Sequence, residues 1–212
     1  MIDLSHNSLR KWNSKLFDLE NLTTLDISHN KLQALPPKVF DSLELDRLYL
    51  QNNNLIQLHA ETFHGLTFGQ NGILDMSQNQ LQDLPQKVFD SLELDRLYLQ
   101  NNNLIQLHAE TFHGLTFGQN GILDMSQNKL LELPRKVFSH DGMRHLQILD
   151  LADNELSTLS DDVFTGYSDL SDLRSLRLEG NRLRRLGDPW LLRLGISLFR
   201  LHRLEELHLQ QN

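Results

Sequence analysis

Leucines recur along this chain in a fixed relation to polar residues, LxxLxLxxNxL. Its fullest form is Leu45-Asp46-Arg47-Leu48-Tyr49-Leu50-Gln51-Asn52-Asn53-Asn54-Leu55. Apolar and polar positions alternate through Leu48-Tyr49-Leu50, which predicts a short strand with both leucines inward and Tyr49 outward. The asparagine of the pattern stands at Asn7, Asn30, Asn53, Asn79, Asn102, Asn128, Asn154, Asn181 and Asn212, at gaps of 23 to 31 residues. A unit of that size suits one strand, a turn and a return segment, and it cannot bury its apolar side alone. Stacked units solve this by sharing one leucine core and pairing their strands in parallel. At each turn an asparagine amide can satisfy backbone groups that would otherwise be buried unpaired, so a structural amide column is expected through the stack.

Beyond each asparagine the pattern continues as xLxxLPxxxF, as in Leu32, Leu35, Pro36, Phe40 and in Leu81, Leu84, Pro85, Phe89; Leu55, Leu58 and Phe63 follow it without the proline. These residues resemble the leucine-rich repeat superfamily, in its typical class of about 24 residues with a convex phenylalanine. The resemblance covers essentially the whole chain. It implies an α/β repeat fold: a right-handed, curved solenoid with a parallel β-sheet on the concave side and an irregular or short helical convex side. It also implies likeness to Toll-type receptors, chaoptin-like adhesion proteins and Slit-like ligands, without choosing among them.

Two irregularities interrupt the beat. Ser42-Leu43-Glu44-Leu45 is one residue short, and Phe68-Gly69-Gln70-Asn71-Gly72-Ile73 is long, with Asn71 expected in a leucine slot and Phe68 supplying the missing apolar contact. Both recur because residues 38–79 are repeated without change as 87–128. That repeat reads first as a recent duplication or an assembly artefact, and second as two equivalent binding units. Near the end, Asp188-Pro189-Trp190 has the form of an N-cap followed by proline at the first helical position, predicting a helix towards Phe199.

The domain reading is a single array over residues 1–212 of about nine coils, lacking both polar caps, and hence expected to be a piece of a longer protein. With no cysteine there is no disulfide framework, thiolate metal site or cysteine nucleophile. No signal-like segment and no span-length apolar run occur, so membrane insertion by this segment is not expected. The net charge of −8 argues against nucleic acid as a partner, although Arg174 to Arg203 carries eight arginines against Glu179 and Asp188.

Outward strand positions nominate the functional surface. Arg47, Tyr49, Asp75, Arg96, Tyr98, Asp124, Asp150 and Arg177 are the candidate concave-face contacts, because tyrosine and arginine are enriched at interaction hot spots. The ten histidines show no converging ligand set, so no metal and no cofactor are expected; His6 and His29 occupy equivalent turn positions and could stack. Asn21-Leu22-Thr23 is an N-glycosylation sequon, nominating Asn21. No nucleophile elbow, phosphate loop or paired-carboxylate motif appears, so an enzyme is not expected. The reading is a non-catalytic protein-interaction module of an extracellular or cell-surface Toll-like or adhesion receptor ectodomain. Its partner would be a protein ligand or co-receptor, dimerisation around it is open, and signalling would pass through other parts. The alternative is an intracellular leucine-rich-repeat scaffold that docks a signalling enzyme.

Overall fold

The structure, a computed structural model, describes residues 1–12, 19, 21–160, 162–164, 170–183 and 201–212. Nine strands run in chain order through one sheet: β1 (Ile2–Asp3), β2 (Thr24–Asp26), β3 (Glu44–Tyr49), β4 (Thr67–Asp75), β5 (Glu93–Tyr98), β6 (Thr116–Asp124), β7 (Leu146–Asp150), β8 (Ser175–Arg177) and β9 (Glu206–His208). Each pairs in parallel with the next. The architecture is therefore a parallel-sheet solenoid. Helix is nearly absent among the described residues, where the return segments hold one 3₁₀ turn at Asp141–Met143. The helix expected after Asp188, and Trp190 with it, lie outside the described residues.

The strand register follows from burial. Leu48, Leu50, Leu74, Met76, Leu97, Leu99, Leu123 and Met125 are wholly buried, while Tyr49 and Tyr98 turn to the solvent face and are half-buried there. A one-residue slip would expose every one of those leucines, so the pattern admits a single register. On the return side the phenylalanines form a continuous spine. Phe40, Phe63, Phe89, Phe112, Phe138 and Phe164 stack in succession with ring centroids 5.9 to 6.2 Å apart.

Between spine and sheet runs the amide column. Asn79 shows its logic: Oδ1 accepts from Leu55 N, and Nδ2 donates to Leu50 O, Met76 O and Ser77 O at 3.0 to 3.1 Å. Its contacts with Leu50 and Leu55 reach into the preceding coil, so each amide ties two coils and fills backbone valences that water cannot reach. Asn53, Asn102, Asn128, Asn154 and Asn181 repeat the arrangement, and so does Asn30. Asn7 is exposed and, among the described residues, bonds only within its own turn, to Leu4 O and Ser5 O.

The long irregularity is a bulge in β4, and it corrects one expected slot. Leu45 faces Phe68 across the sheet and Arg47 faces Ile73, so the single Asp46 stands opposite Gly69-Gln70-Asn71-Gly72. Phe68 holds the leucine register position, and Asn71 projects into solvent with a left-handed φ of 61°. A strand cannot absorb three surplus residues in the ladder, so they loop outward. The second copy repeats this with Phe117 fully in the core, whereas Phe68 is only half-buried. The short irregularity is met by left-handed backbone at Ser42 and Ser91 (φ 68° and 66°), where the following coils use Gly65 and Gly114.

Candidate functional site on the solvent face of the sheet

Strand alternation and the parallel register together line up the outward side chains in rows across the strands. One row reads Asp26, Tyr49, Asp75, Tyr98, Asp124, Asp150, Arg177 and His208, each in register with the next. Two residues earlier on the same strands, a second row reads Thr24, Arg47, Ile73, Arg96, Ile122, Ile148 and Ser175. The eight nominated contacts thus lie on one face, six in the first row and Arg47 and Arg96 in the second.

Their surroundings differ. Arg47 and Arg96 are exposed and make no ion pair with any described residue. Asp150 is buried rather than displayed (8% exposed). Its Oδ1 accepts from Ala152 N and its Oδ2 takes Arg177 Nη1 at 3.3 Å. Burial pushes the Asp150 carboxyl above its ordinary range, with the Ala152 hydrogen bond opposing. Asp75 is raised for the same first reason, its bonds from Ser77 opposing and the charges of Asp124 and Asp26 adding to the shift.

Asp26, Asp75 and Asp124 share one local geometry. The Oδ1 of each accepts the backbone N–H two residues on, from Ser28, Ser77 and Ser126 at 2.9 to 3.0 Å. The Ser28 and Ser126 hydroxyls donate to that same oxygen. The second oxygen of each accepts from no described residue.

Asp26, an outward strand position in the sequence as well, stands in the same row as the nominated contacts, 49 residues before Asp75. Two features were missed in the sequence. Ile56, Ile105 and Leu131 are exposed large apolar side chains on one flank, each directly after a leucine of the repeat that looked purely structural. His108 Nε2 lies 3.2 Å from Asp83 Oδ2, although no carboxylate neighbours it in sequence. The matching position beside His59 is Ala34, so the two copies differ there. His6 and His29 do stack, with centroids 4.1 Å apart. No group of three or more metal-ligating side chains converges among the described residues. Asn21 and Thr23 are both exposed at the turn before β2. No described helix is long and apolar enough to cross a membrane.

The family model described as leucine rich repeat matches residues 1–55 and 122–183. Among solved structures, a leucine-rich repeat protein of Leptospira interrogans superposes at TM-score 0.63 and 23% identity, covering 97% of this chain and 53% of that one. Toll in the Drosophila Toll–Spatzle complex gives 0.59 and 24%, over 91% of this chain and 29% of that one. The PEPR1–AtPEP1 structure gives 0.55 and 24%, over 90% and 28%. The chain spans about half or less of the length of these structures, and at such identities the likeness is one of fold. No curated protein matches.

Proposed function

Because the chain belongs to the leucine-rich repeat family, a fold that serves as a binding scaffold, we propose that it is a non-catalytic part of an extracellular Toll-like or adhesion receptor ectodomain. The sheet face carrying Arg47, Tyr49, Asp75, Arg96, Tyr98 and Asp124 receives a protein ligand or co-receptor, and signal passes through parts of the receptor outside this segment. One observation carries the choice of face: Arg47 and Arg96 stand exposed without ion partners among the described residues, beside half-buried tyrosines. Arginine and tyrosine so placed are the residue types that dominate interface energetics. The solenoid pre-organises them, which lowers the ordering cost of association.

The solved relatives support a macromolecular partner. Toll is seen with Spatzle and PEPR1 with AtPEP1. Another relative, TLR13, is seen with a single-stranded RNA. Here the row of Asp26, Asp75, Asp124 and Asp150 and the net charge of −8 oppose a phosphate backbone, so the protein reading is preferred. The exposed Asn21 sequon supports passage through the secretory route.

The test is site-specific photocrosslinking in cells, with a benzophenone side chain at position 49 or 98 and, as controls, at 59 or 108. Crosslinks to a protein from 49 and 98 alone support the reading; crosslinks from 59 and 108 alone would move the interface to the other side. Sugar removed from Asn21 by glycosidase supports the extracellular assignment, whereas a protein left unmodified at Asn21 and confined to the cytosol overturns it.

A further inference from the structure

The first row repeats itself. Tyr49 lies between Asp26 and Asp75, and Tyr98 between Asp75 and Asp124, each neighbour in register on the adjacent strand. These are two chemically equivalent cradles, a tyrosine ring flanked by two carboxylates, sharing Asp75. In each, one carboxylate oxygen is fixed by the turn at Ser28, Ser77 or Ser126. The other accepts nothing from described residues. Asp75 is already held above the ordinary carboxyl range by burial and by its acidic neighbours, so an added positive charge there relieves a standing penalty.

The same row shows what such a carboxylate accepts. One step beyond Asp124, Asp150 takes the guanidinium of Arg177 from the adjoining strand at 3.3 Å. Between Asp26 and Asp124 the positions that could supply such an arginine are occupied by Tyr49 and Tyr98. A guanidinium over a tyrosine face gains cation–π attraction as well as charge-assisted hydrogen bonds.

Spacing then restricts the partner. The cradles are two strands apart, about 9.6 Å at ordinary sheet spacing. They are related by translation along the sheet, not by a two-fold axis, so matching groups on the partner must also be related by translation. A polyproline II segment has three residues per turn and rises about 3.1 Å per residue, so every third side chain returns to the same side about 9.3 Å further on. Arg47 and Arg96 in the adjoining row disfavour a uniformly basic segment and are placed to meet its main-chain carbonyls.

We propose that the twin Asp–Tyr–Asp cradles bind a protein segment in polyproline II conformation lying across the strands, with arginine at every third position. This deepens the proposed function and rests on its choice of face.

The test titrates the full chain with two capped hexapeptides at about 150 mM salt. One is Arg-Pro-Pro-Arg-Pro-Pro and the other, of the same composition, Arg-Arg-Pro-Pro-Pro-Pro. The spaced peptide is expected to bind roughly tenfold tighter, the size of one well-formed charge-assisted contact. Asp75→Asn should weaken the spaced peptide by roughly the same factor. Glu110→Gln, an equal change of charge in a return segment, should leave it unchanged. Equal affinity for the two peptides, no binding by either, or equal losses from the two substitutions would overturn the proposal. A spacing-blind result with crosslinks still at 49 and 98 sinks this inference alone. A spacing preference with crosslinks only at 59 and 108 supports it and sinks the functional reading.

Discussion

Arg177 Nη1 reaches Asp150 Oδ2 across the junction of β8 and β7 at 3.3 Å, closing with an arginine a row in which the preceding aspartates face tyrosines. This closure separates two kinds of acidic residue on one face. Asp150 is buried and paired, and acts structurally; Asp26, Asp75 and Asp124 each keep one carboxylate oxygen free of described partners and suit recognition.

The amide column should be the most costly polar feature to remove. Asn79→Ala leaves the buried Leu55 N–H without an acceptor and removes one of two donors from the carbonyls of Leu50, Met76 and Ser77, which keep Asn53 Nδ2, Asn102 Nδ2 and Asn52 N–H. Each buried group left unpaired costs about 1–3 kcal/mol. Urea unfolding should show a loss of at least that size, whereas Asn7→Ala, at an exposed turn, should move the midpoint by less than about 0.5 kcal/mol.

The duplication makes an internal control for core packing. Phe63 and Phe112 have identical local sequences and sit between stacked neighbours at 5.9 to 6.0 Å. Phe→Ala at either should cost about 3–5 kcal/mol. Because a solenoid coil feels mainly its neighbours, the two losses should agree closely in calorimetry. A large difference would show that coupling extends well beyond adjacent coils.

Much of this was legible because a repeat tests its own register. Leu48, Leu50 and their equivalents must all turn inward together, so alternation alone fixed the face that bears Tyr49 and Tyr98. Insertions were harder to read. In Phe68-Gly69-Gln70-Asn71-Gly72-Ile73 the spacing puts Asn71 in the leucine slot with Phe68 only supplying the missing contact; Phe68 holds the register position itself, and Asn71 is extruded. Side-chain pairings between coils were invisible too. His108 meets Asp83, and His145 meets Asp172 at 2.8 Å, over separations that depend on the path of the return segments. Asp150 looked like Asp75 in sequence, yet Arg177 and the neighbouring coil bury it.

Two aspartates should respond oppositely to pH. The hydrogen bond to His145, then the charge of Arg203, hold the Asp172 carboxyl below its ordinary range. A lowered folded-state pKa gives stability that is present above the unfolded value and lost as pH falls through the folded one. Asp172→Asn should therefore lower the melting temperature at pH 7, with the difference shrinking on acidification. Asp75 is raised by burial, so its ionised form penalises the folded chain at neutral pH, and the penalty disappears as pH falls towards the ordinary carboxyl range. Asp75→Asn should keep or raise the melting temperature at pH 7 while weakening binding. Thermal unfolding of both variants between about pH 3 and 8 checks the signs, and parallel trends would contradict them.

The tyrosines give the most direct measure of the face. Tyr49 and Tyr98 are half-buried on the solvent side while the leucines on either side of them carry the core. Tyr→Ala should thus spare the fold and remove the ring from its cradle. Each substitution should weaken the binding of the crosslinked partner by about 1–2 kcal/mol, as truncated interface tyrosines do. Tyr→Phe, which keeps the ring, should recover most of that loss. His59→Ala and His108→Ala, in the return segments, should leave affinity unchanged. Since the two cradles share Asp75, a partner that spans both should respond to the double tyrosine substitution by more or less than the sum of the single losses. Strict additivity in the affinity titration, with unfolding curves unchanged, would mean that the cradles bind independently; an unaltered affinity for the double variant would take the tyrosines out of the interface altogether.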